Sequence, residues 1–478
     1  GHSLLATQVI SRLRELFHRQ IPLRWLFEFP TVARLAEQIE SSVSEQQTEA
    51  TAPLVRLGRT ENLPLSFAQE RLWFLSQLEP ESSFYNVASA VKISGALDAE
   101  ALARAVETIV LRHEALRTVF HTVDDVPVQR ILPTQPLNFN LIDLTNTDGN
   151  RTHEAQQVLQ AEAERPFDLE QGPLFKTMLV RLDQTEHLLL LCTHHIVSDG
   201  WSIAIMNREL GALYEAYVRH ESSPLPKLKI QYADYAVWQR ARLQGERLES
   251  HLSFWRNHLK DAALVLELPT DKPRPSTQTF NGADFSLKLS RQLSEALLAL
   301  SRQMDVTPYM TLMAAFQLLL SRYCGREEIV VGTDFANRHR VELEGVIGFF
   351  VNLLPVRIDL SGNPTFTELL ARTRRTMLDV YAHQELPFEK LVGELNPERD
   401  LRRNPVVQVL FVMQNTTQQE LELAGLSVMP FKFRDPSSRF DLALFMSEVD
   451  QQFAGLWRYN PDLFEAYTIT KLSEQFEK

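Results

Sequence analysis

The chain has 478 residues, 44% hydrophobic and 23% charged, an ordinary balance for a soluble globular protein of roughly two or three folded units. Its net charge of −12 comes with neither an acidic tail nor a basic run, which argues against nucleic acid and anionic membranes as partners. No apolar run approaches membrane-spanning length, no signal peptide opens the chain, and two cysteines, Cys192 and Cys324, fit a reducing cytoplasm, where N-glycosylation sequons such as Asn150-Arg151-Thr152 and Asn415-Thr416-Thr417 carry no meaning.

The first 40 residues read as a small helical piece. Leu5, Val9, Leu13, Leu16 and Phe17 follow one helical stripe, and Thr31 caps a second made of Val32, Leu35, Ala36 and Ile39. Residues 41–51 are polar and acidic, with too little apolar surface to fold, and read as a linker. From Leu63 onward helix and strand patterns mix. Asp98 caps a helix carrying Leu102, Val106, Ile109 and Val110, and residues 116–120 are expected to be extended. The run of residues 186–193 is short and apolar and follows an Asp183-Gln184-Thr185 turn, so it predicts a buried strand. Trp201, Ile205, Leu210 and Leu213 then predict a helix. Residues 266–277, with Pro269, Pro273 and Pro275, look like a crossing. Beyond it Thr307-Pro308 starts a helix with Leu312, Phe316, Leu319 and Tyr323 on one face, followed by an extended segment over 328–333. The recurring order of helix, then strand, suggests two related lobes.

Between the predicted strand and helix lies His194-His195-Ile196-Val197-Ser198-Asp199-Gly200. A histidine on such a loop faces a cleft while its scaffold stays rigid, and its imidazole holds or exchanges a proton near neutral pH. Acyl transfer to an amine or alcohol needs that chemistry. Taken alone, the residues leave two readings open, catalysis and plain core packing. Zinc is disfavoured because no cysteine pair or second histidine cluster has ligand spacing. Cys192 reads as a small buried apolar residue.

Several segments together resemble the condensation domain of nonribosomal peptide synthetases. In order these are Ser66-Phe67-Ala68-Gln69-Glu70-Arg71-Leu72-Trp73-Phe74-Leu75, Arg112-His113-Glu114-Ala115-Leu116-Arg117-Thr118-Val119-Phe120, the histidine segment, Tyr232-Ala233-Asp234-Tyr235-Ala236-Val237-Trp238-Gln239, Ile347-Gly348-Phe349-Phe350-Val351-Asn352-Leu353-Leu354-Pro355-Val356-Arg357, His383-Gln384-Glu385-Leu386-Pro387-Phe388-Glu389-Lys390-Leu391, and Arg399-Asp400 onward to Phe411. Leu353 stands where threonine is more usual. The resemblance implies an α/β fold of two chloramphenicol-acetyltransferase-like lobes in a V-shaped pseudo-dimer, residues 63–265 and 266–478, with an active-site tunnel between them. The large aromatics Trp73, Phe120, Trp238, Phe349 and Phe411 read as packing residues. Arg112 and Arg117 read as partners of local acids, and Pro387-Phe388 as an exposed loop anchor or a contact bridging the lobes.

Residues 1–40 resemble part of an all-α peptidyl carrier protein, joined by the linker 41–62. Gly1-His2-Ser3-Leu4-Leu5 looks like a phosphopantetheine attachment site and Phe29-Pro30-Thr31-Val32 like the start of the carrier's last helix. A phosphodiester on Ser3 would sit beside exposed backbone N–H groups at a helix start, although Ser3 also reads as an ordinary N-cap. A carrier normally has another helix before this serine, so an incomplete carrier is expected.

The resemblance implies a cytoplasmic acyltransferase that forms an amide bond between a donor aminoacyl or peptidyl thioester on the upstream carrier and the amine of an acceptor thioester on a downstream carrier. The implied cofactor is 4'-phosphopantetheine on Ser3, without metal. Carrier domains and an adjoining adenylation domain are the implied partners. The Ser66-Phe67-Ala68-Gln69 and Ile196-Val197-Ser198 segments look like the subtype for L-configured donor and acceptor. His195 is implied as the reactive histidine, with His194 supporting the loop, Gly200 giving a substrate arm room, and Asp199 pairing structurally with Arg338. An epimerisation-type relative and a silent carrier-docking module are the alternatives.

Overall fold

A computed structural model describes residues 3–17, 19, 21–41, 54–59, 62–133, 139–147, 149–398, 400–414, 420–433 and 437–478. Two large sheets carry the architecture. The first has five strands in the order Ser427–Pro430, Asn86–Ser94, Glu186–His194, Phe175–Asp183 and Asn140–Asp143. The second has six, in the order Asn352–Asp359, Glu328–Phe335, Val409–Gln414, Leu442–Val449, Gln452–Tyr459 and Ala283–Lys288. Helices cover each sheet, Ala99–Arg112 and Gly200–Val218 on the first and Pro308–Cys324 and Phe366–Ala382 on the second. The strand Ser427–Pro430 belongs by sequence to the second half, yet it pairs antiparallel with Asn86–Ser94, Val428 opposite Ile93. The two halves of the chain are thus laced together through backbone hydrogen bonds.

Local chemistry explains the elements. Asp98 caps its helix through the N–H of Ala101, and Thr307 caps the helix Pro308–Cys324 through Met310, with Pro308 in the first turn. That second helix ends at Gly325 with φ of 64°, the left-handed cap that glycine adopts without strain. The region 116–120 departs from the expected extended form. Glu114–Arg117 is a 3₁₀ turn and the strand starts at Thr118, because the Thr118 hydroxyl donates back to the Glu114 carbonyl at 2.8 Å and closes the turn.

The N-terminal piece comprises the helices Ser3–Phe17, Arg24–Glu28 and Val32–Ser41. Its inward face is not the one expected. Ala6 and Ile10 are buried while Val9, Leu16, Phe17 and Val32 are exposed, since the first helix packs on the turn Val341–Leu343. Arg374 donates to the Phe27 carbonyl at 2.8 Å, and the Phe27 ring stacks on Tyr381, so this piece rests on the helix Phe366–Ala382. Of the linker, residues 42–53, 60 and 61 lie outside the described residues. Among those described, no helix is long and apolar enough to cross a membrane.

Candidate active site

The strand Glu186–His194 is flanked on both sides, by Asn86–Ser94 and by Phe175–Asp183, and Leu188 to Leu190 are fully buried. A central strand covered on both faces explains the unbroken apolar run. The chain leaves the sheet at His194, makes a 3₁₀ turn over His195–Val197, and enters the helix Gly200–Val218. Asp199 caps that helix, its Oδ1 accepting from the N–H of Ser202 at 2.8 Å. The seven-residue segment is therefore held at both ends by regular structure.

Within it the two histidines have different environments. His195 Nδ1 lies 2.7 Å from the Ser198 carbonyl, which can only accept, so Nδ1 carries the hydrogen and Nε2 is the nitrogen with a free lone pair. Its backbone N–H donates to the Tyr85 carbonyl at 2.8 Å, and its ring lies 4.7 Å from that of Phe349. Burial, with the charge of Arg439, lowers its pKa to about 4. His194 is buried against Tyr85 and Phe167, and its Nδ1 accepts from the Ile196 N–H at 3.2 Å. Burial lowers it further, to about 3. Both rings are neutral near pH 7, but only His195 is partly exposed.

Asp199 and Arg338 meet with neither side chain exposed, Nη2 to Oδ1 at 3.2 Å. Asp199 Oδ2 also accepts from the Phe350 N–H at 3.0 Å, and Arg338 Nη1 donates to the Leu343 and Val346 carbonyls, each at 2.6 Å. The guanidinium stacks over Phe350 at 4.0 Å. Gly200 is exposed, and a Cβ built on it would meet nothing within 4 Å. Ser3 opens its helix, but its side chain, like Arg399, lies outside the described residues.

Three of the other motifs, those holding Ser66, Tyr232 and Phe349, form a shell behind the histidine turn. Gln69 donates to the Ile196 carbonyl at 3.3 Å, and Ser66 Oγ sits 2.8 Å from the Tyr232 hydroxyl. Burial raises the Tyr232 phenol well above its ordinary pKa, so it stays protonated and donates to the Phe349 carbonyl at 2.5 Å. Gly348 is pressed on that ring: a Cβ there would fall 1.9 Å from Tyr232. Arg112 pairs with Glu209 at 3.1 Å and Arg117 with Glu114 at 3.8 Å. Phe388, expected to be exposed, is buried with Val406 and Val407, and Arg71 lies over its ring at 5.1 Å. The loop preceding it is anchored from the neighbouring motif, Asn352 donating to the Leu386 carbonyl at 2.7 Å, which turns the phenylalanine inward.

Sequence reasoning missed the place of three residues at this site. Phe349 packs as expected, but the surface it packs on includes the His195 ring, 4.7 Å away. Tyr85 holds His195 by its backbone. Arg439, three residues before the start of the strand Leu442–Val449, reaches the histidines from the far half of the chain. The tandem Phe349-Phe350 was a visible signal for the first; no local pattern marks the other two. No group of three or more metal-ligating side chains occurs among the described residues.

The sequence profile described as Condensation domain matches residues 59–478, and that described as Phosphopantetheine attachment site matches residues 1–39. The chain is 48% identical over 479 residues to one of the linear gramicidin synthase proteins of Brevibacillus parabrevis, covering 100% of this chain but 9% of that protein. Among solved structures it is similar to the X-domain from teicoplanin biosynthesis in its complex with OxyB, with a TM-score of 0.81 and 28% identity over 90% of this chain and 95% of that one. It also resembles in fold the first condensation domain of the calcium-dependent antibiotic synthetase, with a TM-score of 0.72 and 21% identity, covering 88% and 95% of the two chains.

Proposed function

The chain belongs to the condensation-domain family, and from that premise we propose that it forms an amide bond between two thioester-bound substrates. The donor is an aminoacyl or peptidyl thioester presented by the carrier piece at residues 1–40, and the acceptor is the amine of an aminoacyl thioester on a downstream carrier. Residues 63–265 and 266–478 act as the two lobes, with an adenylation domain adjoining in the full cytoplasmic synthetase. The Ser66-Phe67-Ala68-Gln69 and Ile196-Val197-Ser198 segments support an L-configured donor and acceptor.

The observation that carries this reading is the fixed tautomer of His195. Its bare Nε2 is aimed from a rigid turn, and it meets the attacking amine as a hydrogen-bond acceptor. The amine nitrogen adds to the thioester carbonyl carbon; as the C–N bond forms, nitrogen sheds a proton toward Nε2. Collapse then restores the carbonyl, breaks the C–S bond and releases the thiolate, which regains that proton. His194 and Asp199 act on this step through position alone, one bracing the turn and the other tying it to Arg338.

Phosphopantetheine fits the first helix in one respect: Ser3 is its first residue, so the free backbone N–H groups of a 15-residue helix adjoin the modified position. When bound there, the group supplies the thiol that carries the donor. A phosphopantetheinyl transferase is expected to add a single group, lost in Ser3→Ala. Coupling itself is tested with soluble aminoacyl-pantetheine donors and acceptors, followed by mass spectrometry. A dipeptidyl thioester is the expected product. Racemised donor without coupling would replace this reading with epimerisation, and inert substrates with retained carrier binding would replace it with docking.

A further inference from the structure

One cation of the site has no ionic partner among the described residues. Arg439 precedes the strand Leu442–Val449, and its guanidinium lies over the rings of Tyr85 at 4.9 Å and Phe84 at 5.3 Å. Tyr85 therefore holds both Arg439, by its ring, and His195, by its carbonyl. Across from it, Asp334 sits on the strand Glu328–Phe335. Its neighbours Thr333 and Phe335 turn toward the helices, Thr333 accepting from Tyr309 at 2.9 Å and Phe335 meeting Tyr381 edge-on, so alternation sends Asp334 to the opposite face of the sheet. Asp334 is exposed to solvent there, although the protein packed around it raises its carboxyl to about 6. Arg439 feels both groups: its charge opposes protonation of His195 and favours ionisation of Asp334. Even so, neither its guanidinium nor the Asp334 carboxylate makes a hydrogen bond or an ion pair within 4.0 Å among the described residues.

Interior guanidinium groups that serve only stability are paired, as Arg338 is with Asp199 and Arg274 with Asp441. Arg439 is half-buried and held by ring faces, its N–H donors turned to solvent with no protein acceptor among the described residues, so they are free for something absent from the resting protein. The coupling reaction produces such a partner. When a neutral amine adds to a thioester, the carbonyl π electrons move to oxygen, and His195 attends only to the nitrogen end.

We propose that Arg439 is a catalytic residue of the coupling reaction, its guanidinium donating hydrogen bonds to the thioester carbonyl oxygen and stabilising the negative charge that oxygen carries in the tetrahedral intermediate. This rests on the coupling reading above. The oxygen gains the electron pair as the C–N bond forms and returns it as the C–S bond breaks, so the arginine transfers no proton and needs no co-reactant. Preorganised donors of this kind act where charge develops and need no reorganisation at the moment of reaction.

The test is R439Q and R439K in the full chain with soluble aminoacyl-pantetheine substrates. R439Q is expected to lose on the order of 10²–10³-fold in kcat, the loss typical of one oxyanion donor, with KM for the donor little changed. R439K keeps the charge without the fork and is expected to fall between. The discriminating measurement is calorimetric binding of a phosphonamidate mimic of the tetrahedral adduct. R439Q should bind it more weakly by the same factor as its loss in kcat, while an amide analogue of the donor thioester binds both proteins equally. Equal affinity of wild type and R439Q for the phosphonamidate overturns the proposal. So does a rate loss confined to a shifted acid limb, which would mean that Arg439 acts only by keeping His195 neutral. The backbone carbonyl of Arg439, which accepts from Gln278 and Asn404, is unaffected by either substitution; should R439Q melt early, R439K carries the same comparison. A wild-type chain that couples nothing would reject the coupling reading itself, a result distinct from an active wild type with indifferent Arg439 variants.

Discussion

Asp199 and Arg338 are 139 residues apart in sequence and 3.2 Å apart in space, both without solvent contact. The aspartate caps the helix behind the histidine turn and also accepts from the Phe350 N–H; the arginine pins the turn at Leu343 and Val346. Removing one partner of such a pair leaves a buried charge uncompensated, at a cost of about 3–5 kcal/mol. Asp199→Ala should therefore melt several degrees lower and lose coupling together. Unchanged melting with lost turnover would move Asp199 into the chemistry.

Two glycines of the site should respond in opposite ways. Gly348→Ala drives a methyl into the Tyr232 ring, 1.9 Å away, and that ring is locked between Ser66 and the Phe349 carbonyl. Overpacking of this kind costs about 1–3 kcal/mol or more. Gly200→Ala meets nothing within 4 Å and should leave stability unchanged. Gly200→Leu should spare the fold and still reduce coupling, by filling the space a substrate arm uses. Chemical denaturation of the three variants checks the order, and full coupling in Gly200→Leu would remove that role.

How much of this was legible in the sequence depended on range. The buried strand, the helix caps at Asp98 and Thr307 and the histidine turn follow from neighbouring residues, so periodicity and capping chemistry exposed them. The pairing of Asp199 with Arg338 required a family resemblance. Arg439, Tyr85 and the strand Ser427–Pro430 left no local signature, because each is placed by the lacing of one half of the chain onto the other. The burial of Phe388 was hidden for the same reason: its cover, Val406 and Val407, comes from a later loop.

His195 separates positioning from proton transfer. Burial lowers it to about 4, whereas a peptide α-amine titrates at roughly 7.7–8.0, so full protonation of this imidazole by an ordinary amine is uphill. An accepted hydrogen bond to an amine that is already neutral needs no such transfer. His195→Ala should cut coupling by about 10²–10⁴-fold while donor-carrier binding survives. His195→Gln keeps an acceptor but is a far weaker base, and it should retain measurable activity above the alanine variant in single-turnover assays. Equal loss in both variants would favour the general-base role.

Acid should weaken the fold before it protonates the site. His194 is held at about 3, and His195, His251, His258 and His339 at about 4, burial being the largest cause in each. In the unfolded chain these rings titrate near ~6.5. Between about pH 6.5 and pH 4 the unfolded chain therefore binds protons that the native protein does not, so stability is fully present above that window and is lost as pH falls through it. Asp334, raised to about 6, works the other way: between about pH 6 and pH 4 it is protonated in the native state and charged in the unfolded one, so acid favours the fold through it. Glu344 and Glu389, also raised by burial, act with Asp334, while His113 and His187, also lowered by burial, act with the other five histidines. Seven groups against three set the sign, and the melting temperature at pH 5 should lie several degrees below that at pH 7.5. Coupling should fall over a different range. With His195 neutral down to about pH 4, the acid limb of the rate belongs to the acceptor amine, and it should move when acceptors of different amine basicity are compared. An acid limb fixed near pH 6.5 for every acceptor, abolished in His195→Gln, would show that the histidine itself titrates in the working enzyme.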